Sequence, residues 1–198
     1  MITKWSELPM GKFLELQKID DEDELQAALK VNAILNDMTV EELLRSPLAD
    51  VTKMSKARAF LEKKPVMRIT RKKYALGNRV YIFDASPAKV STAQFIDFQS
   101  IEKNDIVSAL AIFLVPEGHK YNDGYEVEDV KDDIRKYLSA EEGLSMANFF
   151  TTLLGLLYRR AIRKAKRMLR KARKAGIPTE EAEKMVENLP RDPASTLG

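Results

Sequence analysis

Between Tyr158 and Lys174 the chain carries Arg159, Arg160, Arg163, Lys164, Lys166, Arg167, Arg170, Lys171, Arg173 and Lys174, ten basic residues with no acid among them. Cations at that density neutralise phosphates or carboxylates, so the chemistry on offer is docking by charge, onto nucleic acid or onto an acidic protein surface. The run holds no aromatic residue after Tyr158 to stack on bases and no Asn or Gln to read their edges, so sequence-specific recognition is not expected. Three readings stay open for these ten residues: docking on an acidic neighbour such as the body of another copy, non-specific contact with nucleic acid, or a merely solvated face.

Other reactive side chains are few. The chain has no cysteine, which removes disulfides, thiolate metal sites and cysteine nucleophiles, and one histidine, which leaves no multi-histidine metal cluster. His119 lies among Lys120, Asn122, Asp123 and Glu126; it is a general base or ligand on one reading and an ordinary loop histidine on the other. The same loop does not make an EF-hand. With Gly124 at the glycine position, His119 and Tyr121 would stand where carboxylates belong and Val130 where the bidentate glutamate belongs. Gly118-His119-Lys120 has no upstream glycine at phosphate-loop spacing. The acid run Asp20-Asp21-Glu22-Asp23-Glu24 could hold a cation or a basic partner, but carboxylates also suit the positive end of a helix and are expected to fill a first turn. No nucleophile and base can be paired, so no catalytic residue, metal or cofactor is nominated and an enzyme is not expected.

The overall balance hides where the charge sits. Among 198 residues, 33 Lys and Arg face 30 Asp and Glu for a net +3; without the ten cations of the run, the remainder stands at −7. The chain therefore reads as an acidic body carrying a basic arm. With 44% hydrophobic residues it has enough apolar surface to bury a core. The start, Met1-Ile2-Thr3-Lys4-Trp5-Ser6-Glu7, lacks the apolar stretch of a secretory signal, so intracellular synthesis is the expectation. The most apolar segment, Phe149 to Tyr158, is well short of the roughly 20 residues that span a bilayer and is expected to be a buried helix rather than a membrane anchor.

The elements that must carry these residues follow from an internal repeat. Phe13-Leu14-Glu15-Leu16-Gln17-Lys18-Ile19 matches Phe95-Ile96-Asp97-Phe98-Gln99-Ser100-Ile101 at an offset of 82 residues, and Asp23 and Ala27 continue onto Asp105 and Ala109. In each copy an apolar pattern at spacings of three and four follows: Leu25, Ala28, Leu29 and Ala33, then Val107, Leu110, Ala111 and Leu114. After an excess around Glu117 to Gly124, the copies rejoin at an offset of 90, where Ser55, Ala57 and Phe60 fall on Ser145, Ala147 and Phe150. Each copy thus reads as a short helix opened by Leu8-Pro9 or Val90-Ser91, a second helix, a short third element and a closing helix. Thr39 with Glu42 three residues on predicts a capping box.

Between the copies, Pro65-Val66-Met67-Arg68-Ile69-Thr70 and Arg79-Val80-Tyr81-Ile82-Phe83 flank Gly77-Asn78 and predict a β-hairpin over about 65 to 84, which must pack on helices or pair with a neighbouring edge. From Leu144 onward, Ala147, Phe150, Leu154, Leu157, Ala161, Ala165, Leu169 and Ala172 predict one long helix, its first half core and its second half a projecting arm, closed by Gly176 and Pro178. Thr179-Glu180-Glu181 predicts a further short helix to about Asn188, with a polar tail from Pro190 to Gly198. The expected fold is mainly α with a small β-hairpin. Residues 1–62 form the first helical repeat, 63–86 the hairpin connector, 87–157 the second repeat and 158–198 the basic arm and tail.

This order of helical unit, hairpin with its Leu76-Gly77-Asn78-Arg79-Val80-Tyr81 turn, Val90-Ser91-Thr92-Ala93-Gln94-Phe95-Ile96-Asp97-Phe98, Ala109-Leu110-Ala111-Ile112-Phe113-Leu114 and Ala147-Asn148-Phe149-Phe150 resembles the tail assembly chaperones and related morphogenesis proteins of tailed bacteriophages over roughly residues 5 to 157. The resemblance implies a non-enzymatic helical protein of virion assembly, made in the host cytoplasm and working by binding other phage structural proteins. A resident head-tail or tail ring component that self-assembles is the leading expectation. The alternatives are a dissociable chaperone missing from the mature particle and a non-specific DNA-binding packaging factor.

Overall fold

The structure, a computed structural model, describes residues 1–20, 23–69, 71–83, 86, 89–102 and 105–175, with backbone alone for residues 151 and 153–161. The expected short helix from Thr179 and the tail from Pro190 lie outside the described residues. The fold is mainly α with a small three-stranded antiparallel sheet. The chain divides into two units, a body of residues 1–101 with 105–147 and a C-terminal unit of residues 102–104 with 148–198.

Local sequence sets where the body's helices begin. Helix α1 (Met10–Leu16) starts after Pro9, whose fixed φ suits an entry position. Helix α2 (Glu24–Leu35) is capped by Asp23, whose carboxylate accepts from the Leu25 N–H at 2.8 Å, so the described part of the acid run serves a helix start as expected. The predicted capping box opens α3 (Val40–Arg45): the Glu42 N–H reaches the Thr39 hydroxyl at 3.1 Å and the Thr39 N–H reaches Glu42 Oε2 at 2.7 Å. The bonds that the Thr39 N–H and then the Thr39 hydroxyl donate to Glu42 Oε2 hold the Glu42 carboxyl below its usual pKa. Helix α4 (Leu48–Ala57) follows Pro47 and runs into a 3-10 turn over Arg58–Glu62.

The hairpin forms, but not from the predicted first strand. Strand β1 is Lys73–Leu76, paired antiparallel with β2 (Arg79–Phe83) through Tyr74 opposite Tyr81 and Leu76 opposite Arg79. Gly77, with φ +58, takes the first of the two turn positions, where a side chain would be strained. Residues 65 to 69 are not a strand because they have no face to bury: Val66 is 68% and Met67 49% exposed. Their backbone is held instead by Ser145, whose hydroxyl accepts from the Arg68 N–H at 3.0 Å. In β1 the alternation is real, with Tyr74 and Leu76 buried and Lys73 and Ala75 outward.

The second repeat supplies the third strand. Helix α5 (Thr92–Ser100) opens on a Ser91–Gln94 capping box, and α6 (Ile106–Phe113) on Asp105. Burial pushes the Asp105 carboxyl up, but its bonds to the Ser108 hydroxyl and N–H outweigh that and hold it below its usual pKa. Leu114, expected to end the α6 helix, instead begins β3 (Leu114–Pro116), which pairs with β2 through Ile82 opposite Val115. The sheet order is β1-β2-β3, so the edge the hairpin needed comes from its own chain. Helix α7 (Val127–Tyr137) buries Val130 and Ile134 and packs against α1, α6 and β1. Helix α8 spans Ala140–Lys174, opening four residues before the predicted Leu144 because Ser139 caps it by accepting from the Glu142 N–H at 3.3 Å. The body's core is Leu8, Met10, Leu110, Leu114, Val130, Ile134 and Leu138, each fully buried.

Candidate functional site

In the C-terminal unit, α8 carries the basic run on a single helical stretch. From Ile162 onward Arg163, Lys164, Lys166, Arg167, Arg170, Lys171, Arg173 and Lys174 are all exposed. Arg159 and Arg160 belong to the same helix. The residues between the cations are the ones that keep less contact with water: Ile162, Ala165, Leu169 and Ala172 are half-buried. Their spacing of three, four and three places them on one stripe, because residues that far apart lie on the same helical face. Met168 beside the stripe is 62% exposed. The stretch is therefore an amphipathic helix with a narrow, mostly small apolar stripe bounded by cations, and from Asn148 to Lys174 it measures about 40 Å. An antiparallel pair of such stripes would bring like charges together, since Lys166 and Arg173 flank the stripe on the same side and would face their equivalents on the second helix. A partner helix or surface would have to offer apolar contact rimmed by carboxylates.

In the body, polar side chains gather around the inserted loop. An open cleft of about 840 Å³ is lined by Arg79, Glu117, His119, Asn122, Tyr125, Glu126 and Asp129 among others. The loop holds its shape through Gly118, Asn122 and Gly124, all at positive φ, and His119 Nδ1 lies 3.1 Å from the Asp123 carbonyl oxygen with its ring edge-on to Tyr125. Among the described residues no carboxylate lies within hydrogen-bond distance of His119. In the cleft lining Arg79 donates to Asp129 at 2.9 Å, and Tyr81, buried on the same strand, donates its hydroxyl to Asp133 at 2.5 Å. Burial, then the bond to Asp133, pushes the Tyr81 phenol up to about 12. A second cleft of about 550 Å³ shares His119, and at its wall Tyr121 donates to Asp97 at 2.8 Å, its phenol pushed above the usual range chiefly by burial. Lys73 pairs with Glu117 and Arg71 with Glu142. The guanidinium and ammonium groups of Arg71, Lys73 and Arg79 and the phenols of Tyr81 and Tyr121 each thus meet a carboxylate, whereas the buried Tyr125 hydroxyl has no partner among the described residues. Among the described residues no three of His, Asp and Glu converge as metal ligands.

Sequence reasoning missed a second kind of surface. Phe95 and Ile96 on α5 are 52% and 60% exposed, and Leu44 and Leu48 on the first repeat are 66% and 81% exposed. The repeat pattern pointed the other way, because it makes Phe95, Leu44 and Leu48 the counterparts of Phe13, Ile134 and Leu138, which are buried.

The described residues form a mainly α body with a small sheet and a C-terminal unit that carries an amphipathic basic helix. No protein-family model, curated protein or solved structure matches the chain. No helix among the described residues is long and apolar enough to cross a membrane.

Proposed function

We propose that the chain is a non-enzymatic assembly protein of a tailed-phage particle, acting by packing against copies of itself and against other structural proteins. The basic stretch of α8 is its docking helix. The observation that carries the reading is the stretch from Ile162 to Lys174, where exposed cations surround a four-residue apolar stripe. Phosphate binding needs the cations alone, whereas a stripe at helical spacing between them suits an acidic protein surface. The body, acidic once the arm is set aside, is one such surface. The resemblance to phage morphogenesis proteins supplies the setting: synthesis in the host cytoplasm and residence in the virion.

Mass spectrometry of purified particles tests residence, with the chain expected at the copy number of a ring component. Its absence would make it a dissociable chaperone. Replacing Arg163, Arg167, Arg170 and Lys174 with Glu is expected to abolish incorporation while the far-ultraviolet circular dichroism of the chain stays unchanged. Incorporation at the native level would end the docking reading. Tight DNA binding with a steep loss of affinity in salt would favour a packaging factor instead.

A further inference from the structure

The loop that lines both clefts carries the chain's one Asp-Gly pair, Asp123-Gly124, and the sequence holds no Asn-Gly pair. In such a pair the glycine nitrogen can attack the aspartate side chain, because the glycine has no Cβ to stand in the way. A fold prevents this by engaging the groups that must react. Here both are left free. Asp123 and Gly124 are exposed, and neither the Asp123 carboxyl nor the Gly124 N–H has a hydrogen-bond partner among the described residues. The main chain before them is held, with the Asp123 N–H donating to the Lys120 carbonyl at 3.0 Å.

His119 sits on the amide that would supply the nucleophile. Its Nδ1 lies 3.1 Å from the Asp123 carbonyl oxygen, and a carbonyl oxygen can only accept, so Nδ1 carries the hydrogen. The same ring crowds Gly124: a Cβ added there would stand 2.9 Å from Nδ1. When the Gly124 N–H loses its proton, negative charge develops on the Asp123 carbonyl oxygen. A donor already aimed at that oxygen stabilises the charge and makes the nitrogen a better nucleophile.

We infer that Asp123-Gly124 is a site of self-isomerisation, with His119 as its activating group. The Gly124 nitrogen bonds to Cγ of the Asp123 carboxyl. The Cγ–OH bond breaks, and that hydroxyl leaves with the amide hydrogen as water, closing a succinimide ring. A second water opens the ring. Attack at Cγ restores aspartate, whereas attack at the main-chain carbonyl carbon leaves the backbone running through Cγ as isoaspartate. Nothing is oxidised or reduced, and the water consumed in the second step matches the water released in the first. The product adds one methylene to the backbone of the loop and turns the carbonyl that His119 holds into a carboxylate, which the ring lacks in the starting structure. The inference goes beyond the proposed function, since it uses no residue of the basic stretch.

Incubating the full folded chain in water enriched in heavy oxygen tests it. Each opening of the ring leaves one heavy oxygen at residue 123, and fragmentation of the tryptic peptide 121–131 locates the label and separates isoaspartate from aspartate. Label and isoaspartate are expected to accumulate at residue 123 of the native chain. His119→Ala should slow both about fivefold, the weight of one ordinary hydrogen bond. His119→Asn, whose side-chain amide can donate from the place of Nδ1, should keep most of the rate. Because His119 is exposed, circular dichroism of both variants should match the native chain. No label at residue 123 of the folded chain, over a time in which the same chain unfolded in urea takes it up, would overturn the inference. Equal rates in the native chain and His119→Ala would do the same, and so would an asparagine variant as slow as the alanine one.

Discussion

Met10 donates its main-chain N–H to the carbonyl oxygen of Leu138 at 2.8 Å, so the first turn of α1 is bonded directly to the corner between α7 and α8. Helices whose backbones bond in this way must approach closely, and Gly11 is what permits it. A Cβ at position 11 would stand 2.9 Å from the Arg135 carbonyl oxygen, a backbone atom that cannot swing aside. Replacing glycine by alanine in an open helix gains about 1 kcal/mol, whereas overpacking a close contact costs about 1–3 kcal/mol. Gly11→Ala is therefore expected to destabilise the body by about 1 kcal/mol net, read as a lower urea midpoint with an unchanged slope. A stabilised variant would mean that the two helices are not held together by this contact.

The unequal repeats make a second prediction. Ile134 is fully buried between α7 and its neighbours, and Leu44, its counterpart in sequence, is 66% exposed. Ile134→Ala should cost about 2–5 kcal/mol, the range for cutting a branched side chain out of a packed core. Leu44→Ala should stay within about 0.5 kcal/mol, as surface changes do. Equal effects at the two positions would show that the repeats bury the same face in solution.

Much of the fold could be read from the residues because its signals were local. The Thr39–Glu42 capping box, the Gly77 turn and the Asp23 and Asp105 helix starts each rest on side chains within a few positions of the backbone they bond. The failures were of longer range. Pro65 to Thr70 has strand-forming residues, yet Ser145, 77 positions from Arg68, takes its backbone bond. Lys73-Tyr74-Ala75-Leu76 has two poor strand formers and was made a strand by burial of the other two. Leu114 to Pro116 is too short to show a period. The candidate docking helix was plain in the sequence because charge survives without tertiary contacts. The exposure of Phe95 and Leu48 was not, since an apolar residue at helical spacing reads as core until its neighbours are known.

A pH dependence follows from Tyr81. Its folded-state pKa of about 12 exceeds the usual 10. A raised pKa means that the folded state favours the protonated phenol, so this stabilisation is fully present below pH 10 and is lost as pH rises from there towards 12. Tyr81→Phe removes the bond to Asp133 and should cost about 1.5–3 kcal/mol at neutral pH, the range for hydrogen bonds to charged groups. The gap between native chain and variant should narrow in alkali across that window. A constant gap would mean that the Asp133 bond does not set the phenol's titration.

The basic stretch allows its two chemistries to be separated. If α8 docks on an acidic protein surface, the apolar stripe works together with the cations, and Leu169 is its largest residue after Ile162. Leu169→Gln keeps a good helix former and every charge, so contact with a polyanion by charge alone would be unaffected. Docking that seats the stripe should weaken by roughly tenfold, since burying a leucine side chain contributes about 1.5–3 kcal/mol when complete and the residue is already half-buried. Titrating the full chain and the variant against the isolated partner particle and against duplex DNA, at one ionic strength, reads both effects. A loss confined to the particle supports protein docking. Equal affinities of variant and native chain for the particle would leave the cations as the only working part of the helix and end the amphipathic reading.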